Sequence, residues 1–171
     1  MNRKDAEMIQ FLKMARSGGA VTRYHTVKTV EYETIAQHSW GVAMLVIALS
    51  GGNPSLPLLK AALYHDLAEQ ISGDSPATAK WSNPGLKREL DKIENKFNKE
   101  YNLNVELTPG EEVVLKYADT LDMCFYCVEQ RSLGNKNVDY VFRRGIEHLR
   151  SYPTLEGVEQ IITHLLELYG G

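Results

Sequence analysis

The amino-acid sequence predicts an all-α bundle. Three observations carry this: apolar residues recur at steps of three and four, capping signatures precede those stretches, and no alternating run is long enough for a strand. The first helix is expected over residues 3 to 16, with spaced Met8, Ile9, Phe11 and Leu12, stopping at Gly18-Gly19. A polar, β-branched segment, AVTRYHTVKTVEYE, reads as a loop. Thr34 and Gln37 stand in capping-box spacing and open a second helix that runs through HSWGVAMLVIAL to Gly51-Gly52.

Ser55 caps a third helix with Pro57 in its first turn, expected to continue to Ile71 and close near Gly73. Asn83-Pro84 begins a fourth, whose Leu86, Leu90, Ile93, Phe97 and Tyr101 form one stripe. Thr108-Pro109-Gly110-Glu111 is a capping box with proline at N1, opening a fifth helix to about Arg131. Two more are expected near 138 to 150 and 154 to 169. The 171 residues suit one domain, residues 1 to 171, large enough for a real core.

Composition narrows the function. Hydrophobic residues make up 43% and charged residues 24%, the profile of a soluble globular protein. A net charge of −3 argues against binding a nucleic-acid polymer or an anionic membrane, which needs clustered positive charge. The N-terminus lacks the continuous apolar core of a signal peptide, and the apolar run GVAMLVIAL is far below the roughly 18 residues of a membrane span. A cytoplasmic location follows. Cys124 and Cys127 form a CxxC inside a helical pattern, without a thioredoxin-like context or a second ligand pair, and read as packing residues.

The chemistry-bearing residues lie in three of the expected helices. His65 and Asp66 are adjacent, and Glu69 follows one turn later on the same side. From that helix alone the group is either a solvated stripe or part of a reaction centre. His38 lies near an inward stripe with Val42, Leu45 and Leu49, where a histidine is either a hydrogen-bonded core group or a ligand. Asp119 sits mid-helix among Val114, Leu115, Ala118 and Leu121, and a buried aspartate there needs a partner or a cation. Asp122, one turn on, is the alternative solvated carboxylate. Two imidazoles and two carboxylates suit a divalent ion such as Co²⁺, Mn²⁺, Zn²⁺, Fe²⁺ or Mg²⁺.

In this order the quartet resembles the HD-domain metal-dependent phosphohydrolases. The flanks TRYHTV, ETIAQHSWGVA, ALYHDLAEQISGDSPATAKW and LKYADTLD are similar to the 5′-deoxynucleotidase branch and to phage relatives that hydrolyse dATP. The likeness spans roughly residues 20 to 130 and implies an HD-type helical bundle. It implies that His38, His65, Asp66 and Asp119 hold the metal, and that Glu69 handles a proton near the attacking water or leaving oxygen. Asp74 would lie near the sugar or scissile group, and Arg23 would meet phosphate, with Lys80 and Lys116 as further phosphate contacts. Where the family has a tryptophan that packs on deoxyribose, this chain has Tyr24; Ser75-Pro76-Ala77-Thr78 departs from the family's Pro-Thr pair.

The resemblance implies hydrolysis of a deoxynucleotide at its 5′ phosphoester, releasing a 2′-deoxynucleoside, and association into a homo-oligomer. The chemistry fits the inventory: phosphoester hydrolysis is among the slowest uncatalysed reactions, and a divalent ion with Arg and Lys neutralises the charge that develops. No P-loop or Rossmann glycine pattern occurs, which weighs against a kinase or ATPase motor. The favoured substrate is dATP, split to deoxyadenosine and tripolyphosphate as in a phage nucleotide-pool enzyme. This rests on the compact chain and on Lys80 with Lys116. The alternatives are a 5′-deoxynucleotidase acting on dNMPs and a non-enzymatic nucleotide- or metal-binding regulator.

Overall fold

The computed structural model describes residues 2–170 and is all-α. Its helices are α1 (Arg3–Gly19), α2 (Ile35–Leu49), α3 (Leu56–Tyr64), α4 (Glu69–Ser72), α5 (Ala77–Ser82), α6 (Pro84–Glu100), α7 (Pro109–Ser132), α8 (Asp139–Leu149) and α9 (Val158–Gly170). Among the described residues the only bridge of β type is an isolated antiparallel pairing of Thr22 with Thr34. No helix among them is long and apolar enough to cross a membrane.

Both expected capping boxes form. Thr34 and Gln37 exchange hydrogen bonds at the start of α2, and Thr108 and Glu111 do so at the start of α7. These caps satisfy amide groups that a helix start leaves unpaired. α7 is the central post: it packs against α2, α3, α8 and α9. Leu121, Cys124, Cys127, Leu149, Ile162 and Leu165 fill one core layer, and Val42, Val46, Leu58, Ala62 and Ala118 fill another. Cys124 and Cys127 are buried free thiols within that packing.

The structure corrects three expectations about elements. The third helix does not reach Ile71: it ends at Tyr64, and residues 65–68 form a turn before the short α4. The cause is a change of hydrogen-bond register. Leu67 N–H donates to Tyr64 O, Glu69 N–H to Asp66 O and Ile71 N–H to Ala68 O, all three residues back. α5, six residues after Pro76, was not expected; it is too short to show a periodic stripe. The last helix begins at Val158 rather than 154, because Gly157 holds φ +81, which breaks the helical path.

The turn at 65–68 is fixed from behind by α1. A Cβ on Gly18 would lie 2.8 Å from Leu67 Cδ2 and 3.0 Å from the Leu67 carbonyl oxygen, so the absent side chain is what lets α1 approach. Gly18→Ala is therefore expected to destabilise the protein by about 1–3 kcal/mol through overpacking against backbone. Gly110→Ala, with nothing within 4 Å of the new Cβ, should be neutral or slightly stabilising. Urea unfolding of the two variants checks the contrast.

Candidate active site

His38 enters the site because Thr34 caps α2 one turn earlier, and the same region is tied to the preceding loop. Arg23 N–H donates to Glu33 O at 2.8 Å and Ile35 N–H to Val21 O at 2.9 Å. The bridge brings Arg23 beside the start of α2. Farther along, the loop is anchored by Gln130, which accepts from Val30 N–H at 2.8 Å, and by Tyr126, whose hydroxyl donates to Glu31 O at 2.7 Å.

His38 is fully buried. Its Nε2 lies 3.2 Å from His65 Nε2, 3.1 Å from Asp119 Oδ1 and 3.5 Å from Asp66 Oδ2. His65 Nε2 is 3.4 Å from Asp66 Oδ2 and 3.8 Å from Asp119 Oδ1. The tautomers follow from the other ring nitrogens. His65 Nδ1 is 3.0 Å from Ala62 O, an acceptor only, and His38 Nδ1 is 2.6 Å from Asp122 Oδ2. With both Nδ1 atoms donating, both Nε2 lone pairs point at one another and at two carboxylates.

That arrangement is repulsive unless a cation sits among the four groups. It also has the right size: ligands about 2.1 Å from a common ion lie about 3.0 to 3.4 Å apart. His38, His65 and Asp119 can offer ligand atoms all within 4.8 Å of one another, and Asp66 flanks both histidines. The cluster therefore fits a divalent metal ion of the kind that accepts mixed nitrogen and oxygen donors.

The remaining expected site residues are distributed around it. A cavity of about 610 Å³ opens from His65, Asp66 and Asp119, with Glu69, Lys80 and Lys116 also in its wall. It continues into a narrow recess of about 90 Å³ lined by Arg23, Asp66, Glu69, Asp74, Lys80 and Asp119. Tyr24 stands apart from both. Its ring stacks on Tyr126 at 4.3 Å and it borders a separate hollow with Asp74 and Pro76. Its φ of +58 is held by a hydrogen bond from its N–H to Asp74 Oδ2 at 3.1 Å.

Electrostatics divide these groups by role. Burial pushes the Glu69 carboxyl up to about 8; Asp66 adds to the rise, and Lys80, 3.6 Å away, opposes it. One Glu69 oxygen accepts from Ser75 N–H, while Oε2 is buried without a partner. Burial works against the charges on Arg23 and Lys80, but nearby acids outweigh it and keep both protonated. Arg23 lies 3.3 Å from Glu33, yet its Nε and Nη1 lack hydrogen-bond acceptors. Burial raises Glu33 to about 7.

Asp122, expected as a solvated carboxylate, is instead a mostly buried partner of His38, raised to about 7 chiefly by burial. Its spacing of three from Asp119 placed it on the same helix side, but helical periodicity cannot rank two acids there. Trp81, His148 and Tyr152 form an aromatic wall of the cavity, with ring centroids 4.2 and 4.8 Å apart along the series. They come from α5, α8 and the turn after it, and no local motif announced them.

The model of the 5′-deoxynucleotidase YfbR-like family matches residues 10–109. The chain belongs to this family. Among curated relatives, a 5′-deoxynucleotidase of Photorhabdus laumondii is 31% identical over 147 residues, 72% of this chain and 75% of that protein. A 5′-deoxynucleotidase of Vibrio cholerae is 28% identical, over 67% of this chain and 71% of its own. A Pyrococcus horikoshii protein of known structure superposes with TM-score 0.75 at 28% identity, covering 94% of this chain and 99% of its own. The HD phosphohydrolase DatZ of cyanophage S-2L, solved with dA and one catalytic Zn²⁺, gives TM-score 0.63 at 21% identity, covering 92% and 93% of the two chains, which shows a shared fold. The chain is thus a deoxynucleotide phosphohydrolase of this family with the fold of the HD phosphohydrolases, and its His/Asp cluster is a candidate site for a divalent metal ion.

A metal bound only by the folded protein stabilises it. At free Zn²⁺ 100 times its Kd, the unfolding free energy should rise by about 2.7 kcal/mol, and His65→Ala should remove that gain. Thermal or denaturant unfolding with and without metal tests this.

Proposed function

We propose that the protein is a 5′-deoxynucleotidase that hydrolyses deoxynucleoside monophosphates to the 2′-deoxynucleoside and orthophosphate. The observation that carries the reading is the charge of the cavity beside the histidine–aspartate cluster. Its wall holds Asp66, Glu69, Asp91, Glu94 and Asp119 against Lys80, Lys87 and Lys116. Lys87 is bonded to both Asp91 oxygens, at 2.7 and 2.9 Å, and Lys80 faces Glu69. Such a wall suits one phosphate near a divalent ion better than the several charges of a triphosphate. The family and the bacterial relatives named above favour the same substrate. The dATP preference drawn from Lys80 and Lys116 gives way to it.

In this reading His38, His65, Asp66 and Asp119 hold the ion, which supplies water activation and neutralises phosphoryl charge. Arg23, buried and short of acceptors, binds phosphate oxygens from the recess. Lys80 and Lys116 approach from the cavity side. Glu69, protonated near neutrality, donates a proton to the departing 5′ oxygen. Lys80 then stabilises the carboxylate that remains. Asp74 fixes the Tyr24 turn and with it the direction of Arg23. Trp81 and Tyr152 offer aromatic surface to the sugar and base. The setting we propose is the cytoplasm, where free thiols such as Cys124 and Cys127 stay reduced.

The test is a panel of dAMP, dTMP, AMP and dATP with Zn²⁺, Mn²⁺ or Co²⁺, reading the inorganic product. Orthophosphate from dNMPs is expected. Tripolyphosphate from dATP, with no turnover of dNMPs, would instead support the triphosphohydrolase. Metal binding without turnover of any nucleotide would support a regulator.

Proton donation has a sign. A carboxyl acid with a raised pKa is active below it, so kcat/KM should fall as pH rises through about 8. Glu69→Gln should lose that alkaline limb and lower kcat by roughly 10²- to 10⁴-fold. A pH–rate profile of both proteins checks it.

A further inference from the structure

We propose that Asp122 is a positioning residue for the metal centre, and that Gly41 is the residue that admits it. The proposal rests on the metal-site reading above and adds to it two residues outside the ligand quartet.

The geometry starts in α2. Its fifteen residues contain one glycine, Gly41, in the interior. An interior glycine costs about 1 kcal/mol relative to alanine, so a position that keeps one calls for a reason. Here the reason is room. A Cβ on Gly41 would lie 1.9 Å from Asp122 Oδ1 and 2.9 Å from its Cγ. The Asp122 carboxylate rests over the bare backbone of α2, one turn beyond His38, and from there its Oδ2 reaches His38 Nδ1 at 2.6 Å. No larger residue at 41 leaves that carboxylate where it is.

The contact does three things to His38. It holds the proton on Nδ1, which leaves the Nε2 lone pair facing His65, Asp66 and Asp119. It fixes the plane of a ring that is fully buried. Its negative charge makes the imidazole a stronger donor, as carboxylates behind metal-ligating histidines do. Asp122 itself makes no ion pair with lysine or arginine within 4.0 Å among the described residues. His38 is its principal partner, with the Arg23 charge acting on it from farther off.

A competing reading is that Glu33, His38 Nδ1 and Asp122 form a second cation site, since their atoms also lie within 4.8 Å of one another. Two details oppose it. The 2.6 Å separation of Nδ1 and Oδ2 is that of a hydrogen bond, shorter than the about 3.0 Å expected between two ligands of one ion. The Arg23 guanidinium, 3.3 Å from Glu33, already supplies positive charge there.

The test uses the metal-free protein, with Zn²⁺ affinity read by competition titration and the His38 tautomer read by long-range ¹H–¹⁵N spectra. Wild type should show the proton on Nδ1. Asp122→Asn should weaken Zn²⁺ binding by about 10- to 100-fold while circular dichroism stays native. Gly41→Ala changes no ligand or acid, yet should weaken binding comparably by displacing the Asp122 carboxylate. Native-like variants that bind Zn²⁺ within twofold of wild type would overturn the proposal, as would an Nε2-protonated His38 in the wild type. Should both variants fail to fold, the wild-type tautomer decides. A wild type that binds no divalent ion would instead sink the metal-site reading beneath it.

Discussion

The site depends on one side chain gripped from two sides. His38 is fully buried between α2 and α7, with Nδ1 committed to Asp122 and Nε2 turned toward His65, Asp66 and Asp119. A histidine so placed cannot rotate without losing a buried hydrogen bond, a loss of about 1–3 kcal/mol for each group left unsatisfied. The packing of α2 on α7 therefore sets the geometry of the histidine–aspartate cluster. Gly18 against Leu67 serves the opposite wall, holding the turn that presents His65 and Asp66.

Much of this was legible in the residues. The two capping boxes and the stripe in α6 fixed where helices begin, because capping and amphipathicity are local. The ordered quartet was also legible, since its spacing survives whatever the loops do. The break at Tyr64 was not: Leu63, Leu67 and Ile71 keep a helical period that runs straight across it. What ends the helix is a tertiary fit to α1 and a switch to shorter-range hydrogen bonds, neither visible in one segment. Asp122 read as solvated for a related reason. The space its carboxylate occupies is left by the missing side chain at Gly41, eighty-one positions away.

The cavity adds a constraint of its own. Its acids hold Lys80 and Lys87 in pairs, and burial raises Glu69 to where a proton donor is useful. Arg23 is charged, buried and incompletely bonded. A site arranged in this way sets two cations, Arg23 and Lys80, among acids in one narrow recess rather than along a broad basic trough. That difference is the physical ground for preferring a monophosphate.

The measurement that bears most directly on this account is a crystal structure of the metal-loaded protein with anomalous data at the metal's absorption edge. One anomalous peak is expected among His38 Nε2, His65 Nε2, Asp66 and Asp119, with His38 Nδ1 still bonded to Asp122. A peak on the Nδ1 side, among Glu33, His38 and Asp122, or no peak near His38, would contradict it.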